Sequence, residues 1–159
     1  MTLRAFILAA MLWLAPKRDT SALGNALTNV IETEGCLVKG NDCERRSAAL
    51  ATYVAFRESG LRLDAEGDCD PQTEDEQRRG VPRKHCQSMC AFQIWKGSRA
   101  LLTDAAACAL AGYRRLRESL IACRGSIAAY AAGTCGSERG KRIDADRKQG
   151  ANELLRRIK

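Results

Sequence analysis

Residues 49–68 read ALATYVAFRESGLRLDAEGD. Taken as a helix, the stretch puts Leu50, Val54 and Glu58 at i, i+4 and i+8, on one face, and Ala51 and Ala55 widen that face. Gly60 supplies a stop signal. A carboxylate therefore ends an apolar stripe in the last turn of a helix, where the dipole favours cations. Burial and the dipole both disfavour its charged form. An acid so placed needs a reason.

Outward from this stretch the chain reads as further helices. The central helix runs from about Arg46 to Glu58. Before it, Leu23, Leu27, Val30 and Ile31 have helical spacing that closes near Gly35, and Cys36 and Cys43 bracket a loop containing KGND. After it, residues 60–90 form a long polar insert with an acidic half, DAEGDCDPQTEDE, and a basic half, RRGVPRKH. Its prolines and glycines argue against one continuous helix, and two short strands are compatible with it. CAFQIW follows as an extended piece. Thr103 is the expected N-cap of the next helix, with Asp104 in its first turn and a face of Ala105, Cys108, Ala109, Gly112, Leu116 and Leu120. Ser126 is the expected cap of a short helix IAAYAAG. The last helix is expected from about Asp144, with Ala151, Leu154, Leu155 and Ile158 on one side. The pattern predicts a mainly α fold, one disulfide-stapled helical domain with a small irregular or β-containing lobe.

The chain has 159 residues, 45% hydrophobic and 28% charged, a globular rather than disordered balance. Residues 1–24 read as an export signal. Arg4 supplies the positive start, AFILAAMLWLA at 5–15 the apolar run, and Ala22 and Gly24 a small-x-small cleavage pattern. An N-terminal core helix or a membrane anchor is the alternative, and Lys17 and Arg18 are awkward for export. On the export reading the working domain is 25–159. The eight cysteines lie outside the signal, include no C-x-x-C pair, and are accompanied by one histidine, His85. Disulfides in an oxidising compartment fit this better than zinc. The expected location is secreted or periplasmic. A net charge of +7 draws the protein to anionic envelopes. No motif or stacking aromatic pattern points to nucleic acid.

Three stretches occur in order: FRESG (56–60), CAFQI (90–94) and AAYAAG (128–133). Together they resemble the lysozyme-like superfamily, specifically soluble lytic transglycosylases, whose patterns are E-S-G, then G-[LA]-x-Q-[IL], then A-Y-N-x-G. The resemblance covers roughly residues 46–135. It implies a lysozyme-like α+β fold and cleavage of the β-1,4 bond between N-acetylmuramic acid and N-acetylglucosamine in peptidoglycan. It also answers the opening question: Glu58 would be the single general acid, which must hold a proton near neutral pH. Ser59 would support the acid or the glycan, Gln93 would line the cleft and bond substrate, and Tyr130 would face Glu58. No cofactor or metal is implied. The partners would be peptidoglycan strands, met by a monomer. Two positions depart from the pattern: Cys90 stands for its glycine and Ala131 for its asparagine, and the insert between Glu58 and Gln93 is long.

The alternatives stay open. A hydrolytic lysozyme of the same fold would need a second carboxylate, with Asp64, Glu66 and Asp68 as candidates. A wall-binding or inhibitor protein on a decayed scaffold would fit Ala131. Taken singly, Glu58 reads as a solvated helix-end residue, Gln93 as an edge-strand residue, Tyr130 as core, Ser59 as a turn cap and His85 as surface. Asp64, Glu66, Asp68, Asp70, Gln72 and Asp75 echo a calcium loop, but Cys69 replaces its required glycine, so a solvated acidic loop is expected. Loop lengths suggest bridges 36–43, 69–86 and 108–123. If the second and third motifs line one cleft, as the resemblance implies, Cys90 and Cys135 become neighbours and pair.

Overall fold

Alanine decides how the helices meet. Helix α3 (Cys43–Ser59) buries Ala48, Ala49, Leu50, Ala51, Thr52, Val54 and Ala55, which lie on more than one of its faces. A helix buried on several sides needs small side chains so that its neighbours can approach. Those neighbours are α1 (Leu3–Leu14), α2 (Ser21–Glu34), α5 (Ala105–Ala122) and α7 (Glu138–Arg157), and α6 (Ala128–Ala132) packs against α5 and α7. Between α3 and α5 lie strands β1 (Glu66–Gly67), β2 (Ser88–Met89) and β3 (Ile94–Trp95), a short helix α4 (Glu74–Arg78), and a 3-10 turn at Arg99–Leu102. The strands pair antiparallel in the order β1-β2-β3, with Glu66 opposite Met89 and Met89 opposite Ile94. The computed structural model describes residues 1–158. It is mainly helical, with one small sheet and four disulfides.

The long insert contains β1 and β2, the two short strands compatible with it, and the excursion between them. Its centre forms α4, which the sequence reading did not anticipate. Thr73 and Glu76 make a reciprocal capping box, and three acids occupy the first turn. Other boundaries also differ: α3 begins at Cys43, and Ile127 rather than Ser126 precedes α6 as its N-cap. The cap of α5 is Asp104, whose carboxylate accepts from Ala107 N at 2.9 Å, while Thr103 ends the 3-10 turn. Helix α7 starts at Glu138, earlier than the expected Asp144, because Ser137 accepts from Gly140 N at 3.0 Å.

The bridges are Cys36–Cys43, Cys69–Cys86, Cys90–Cys108 and Cys123–Cys135. The expected 90–135 and 108–123 pairings are therefore corrected. Cys108 sits in the first turn of α5 and Cys123 caps its end. Fifteen residues of helix separate them by about 22 Å, whereas a bridge needs Cα atoms roughly 4.4–6.8 Å apart. Cys90 instead turns inward with Ala91 and Phe92, all fully buried, toward the start of α5. Phe92 packs on Gly112 of α5, where a Cβ would stand 2.1 Å from the ring. Cys135 returns to the far end of α5.

The apolar run read as an export signal forms α1. Phe6, Ile7, Ala10 and Met11 on it are fully buried, and the guanidinium of Arg45 lies over the Phe6 ring at 5.0 Å. The expected cleavage point after Gly24 falls inside α2. Deleting residues 1–24 is expected to open the core, with each large buried side chain contributing about 1.5–3 kcal/mol. Urea denaturation of the shortened and full-length chains measures this, and an unchanged midpoint would show that α1 adds nothing.

Candidate active-site groove

Glu58 lies in the last turn of α3, and Gly60 ends the helix in the left-handed conformation at φ 66°. The Gly60 and Leu61 amides close the end onto Phe56 O and Ala55 O at 2.7 and 3.4 Å. Ser59 secures this end. Its hydroxyl lies 3.1 Å from Ala55 O and 2.9 Å from Ala91 O as donor, and accepts from Arg62 N at 3.1 Å. It thus joins the helix end to the turn carrying Gln93 and does not line the groove.

A groove of about 540 Å³ runs between the sheet lobe and helices α5 to α7, and its lining includes Glu58, Asp68, Gln93 and Tyr130. A further hollow of about 290 Å³ adjoins it and shares Gln93, Trp95, Arg115 and Tyr130. The three sequence motifs thus meet at one surface.

Gln93 sits at φ 49°, and its side-chain amide donates to Ala65 O at 3.2 Å and Cys90 O at 3.0 Å. It lines the groove while tying the approach to β1 to the turn after β2. The Tyr130 hydroxyl donates to Phe92 O, and its backbone amide donates to Ser119 Oγ at 3.0 Å. Burial first, and then the charge of Glu58, push the phenol well above its ordinary value of 10.0.

The three candidate second carboxylates separate. Asp64 is exposed and pairs with Arg62 at 3.3 Å, and Glu66 pairs with Arg99 at 2.7 Å. Only Asp68 lines the groove, and it accepts a hydrogen bond from the Ser88 hydroxyl. Elsewhere in the acidic loop, Asp75 pairs with Arg79 at 3.0 Å, and Gln72 donates to Val81 O at 2.6 Å. His85 is exposed.

Sequence reasoning missed four residues here. Trp95 is 49% exposed and lines the groove beside Arg115 and Arg139. It ends β3, two residues after the Gln93 turn. The fourth is Arg147, whose Nη2 donates to Glu58 Oε1 at 3.2 Å. Arg147 falls four residues before Ala151 and seven before Leu154, so it continues the apolar stripe of α7. A charge in such a stripe signals a buried partner.

Searched against protein-family models, curated proteins and solved structures, the chain matches none.

The raised Tyr130 phenol has a consequence for stability. A folded value above the unfolded one means that the folded state keeps the proton longer. This contribution is complete below about pH 10 and is lost as pH rises through the folded value. Tyr113, raised mainly by burial, acts in the same direction. Tyr130→Phe is expected to make the alkaline fall in stability shallower and leave the Tyr113 part. Denaturant titrations between pH 9 and 11, at about half-unit steps, measure this.

Proposed function

We propose that the protein is a peptidoglycan-cleaving enzyme of the lytic transglycosylase type, on a lysozyme-like fold. One observation carries the reading: Glu58, Gln93 and Tyr130, from three distant segments, line the same groove. The substrate is the β-1,4 bond between N-acetylmuramic acid and N-acetylglucosamine. Glu58 donates its proton to the bridging oxygen as the bond to C1 breaks. The carboxylate left behind then takes the proton of the muramoyl C6 hydroxyl, whose oxygen bonds to C1. The product carries a 1,6-anhydro end, and Glu58 regains its proton. Gln93 and Tyr130 shape the groove wall, and Trp95 offers a ring face to a sugar.

Export to the periplasm or outside is supported by the four bridges, which persist in oxidising surroundings. Among the described residues, no helix is long and apolar enough to cross a membrane. The net charge of +7 favours approach to an anionic envelope.

A second reading has its own observation. Asp68 lines the groove with Glu58 and is held by Ser88, as a carboxylate that activates water in a hydrolase would be. The products separate the two readings, since an anhydro end is one water lighter than a reducing end.

Glu58→Gln is expected to lower cleavage of purified peptidoglycan by at least ~10²–10⁴-fold with the fold retained, because the amide has no proton to deliver. Gln93→Ala and Tyr130→Phe are expected to lower it less, since each removes hydrogen bonds worth about 0.5–1.5 kcal/mol. Asp68→Asn is expected to leave anhydro-product formation within a few-fold of wild type, whereas loss of all cleavage would favour the hydrolase. Muropeptide mass spectrometry with circular dichroism reads every arm, and near-wild-type rates for Glu58→Gln would remove this residue from the mechanism.

A further inference from the structure

Arg147 is the one charged residue that is buried among the described residues, at 8% exposure. Taking a guanidinium out of water is strongly unfavourable unless it is paired. Its Nη1 donates to Asp146 Oδ2 and its Nη2 to Glu58 Oε1, while its Nε is buried without a partner. Asp146 Oδ1 accepts in turn from Arg57 Nη1 at 3.1 Å. Charges therefore alternate from Arg57 through Asp146 and Arg147 to Glu58. The register is fixed nearby. The Tyr53 ring of α3 sits on Gly150 of α7, where a Cβ would stand 2.0 Å from a ring carbon.

A guanidinium favours a carboxylate over a carboxylic acid, which is at first sight a poor neighbour for a proton donor. The proposed reaction uses Glu58 in both forms. Once the proton has gone to the bridging oxygen, a carboxylate faces Arg147, and that carboxylate is the base for ring closure. A fixed cation beside developing negative charge needs no reorganisation when the charge arrives.

We infer that Arg147 is a positioning residue that holds the Glu58 carboxyl in the groove and sets the pH range over which it delivers its proton. The inference rests on the reading of Glu58 as general acid. Other groups also face Glu58. Asp146 stands behind Arg147 on α7, and Arg57 neighbours Glu58 on α3. From α6 comes Tyr130, whose raised phenol stays neutral through the working range. Asp68, Arg115 and Arg139 stand around the groove.

The test is the pH profile of kcat on purified peptidoglycan. Arg147→Gln removes the cation but keeps a donor. It is expected to move the basic limb up by about one pH unit and to lower the maximal rate roughly 10- to 100-fold. Asp146→Asn leaves Glu58 as the only carboxylate bonded to Arg147 and removes a nearby negative charge, so the limb is expected to move down. Arg147→Lys keeps the charge and is expected to keep the limb near its wild-type place. A purely structural role would lower the rate at every pH with the limb unmoved, and that result overturns the inference. Should Arg147→Gln fail to fold, Asp146→Asn decides, and an unmoved limb there overturns it.

A carbon-13 NMR titration of the Glu58 carboxyl in the wild type and Asp146→Asn reads the same coupling without turnover. A displaced titration in a protein that cleaves no glycan overturns the enzyme reading and keeps the coupling. Cleavage with identical titrations overturns the coupling alone.

Discussion

Helix α3 is enclosed by other helices, and the rest of the structure follows from that constraint. Enclosure demands small side chains, and Ala48, Ala49, Ala51 and Ala55 meet the demand. It also demands partners on several sides, which α1, α2, α5 and α7 provide. A helix held this way has little freedom to rotate or slide, because packed interiors resist displacement. The residue at its end inherits that rigidity. Glu58 is aimed by the core, and the Ser59 hydroxyl fastens the helix end to the turn that carries Gln93.

Groove walls are held by separate devices. Cys90–Cys108 ties the Gln93 turn to the start of α5, and Cys123–Cys135 ties the end of α5 to the segment after Tyr130. The short helix bearing Tyr130 lies between those two cysteines. The Tyr130–Phe92 hydrogen bond then joins the walls across the interior, beneath the groove. Fixed geometry of this kind would serve the proposed reaction, in which one carboxyl first gives and then takes a proton, since positioning and preformed charge do much of the work there. The alternating chain from Arg57 to Glu58 adds the electrostatic part, with Arg57 and Glu58 on α3 and Asp146 and Arg147 on α7, which packs alongside it.

Several features were legible because they are local. The helical phase of Leu50, Val54 and Glu58 follows from residue spacing alone, and so does the stop at Gly60. The 36–43 and 69–86 bridges close short loops and were read from spacing. Asp104 and Ser137 were misjudged or overlooked as caps, because several polar residues near a helix start can accept from its free amides, and the chain path selects one. The capping box at Thr73 was present in the sequence as T-x-x-E but was hidden by the polar composition of the insert. The 108–123 pairing failed on helix length, a quantity the sequence already contained.

The sequence by itself determined the helical class and the small lobe after α3, and its short patterns singled out Glu58, Gln93 and Tyr130, which the fold brings to one groove. These depend on periodicity and on short patterns, which act over a few residues. Tertiary structure alone decided that Asp68 lines the groove while Asp64 and Glu66 pair elsewhere, that Cys90 turns to α5, and that Arg147 pairs with Glu58 across 89 positions. The reason is physical. A charge or a thiol has a short reach and no preferred sequence distance, so its partner is set by which helix faces pack together.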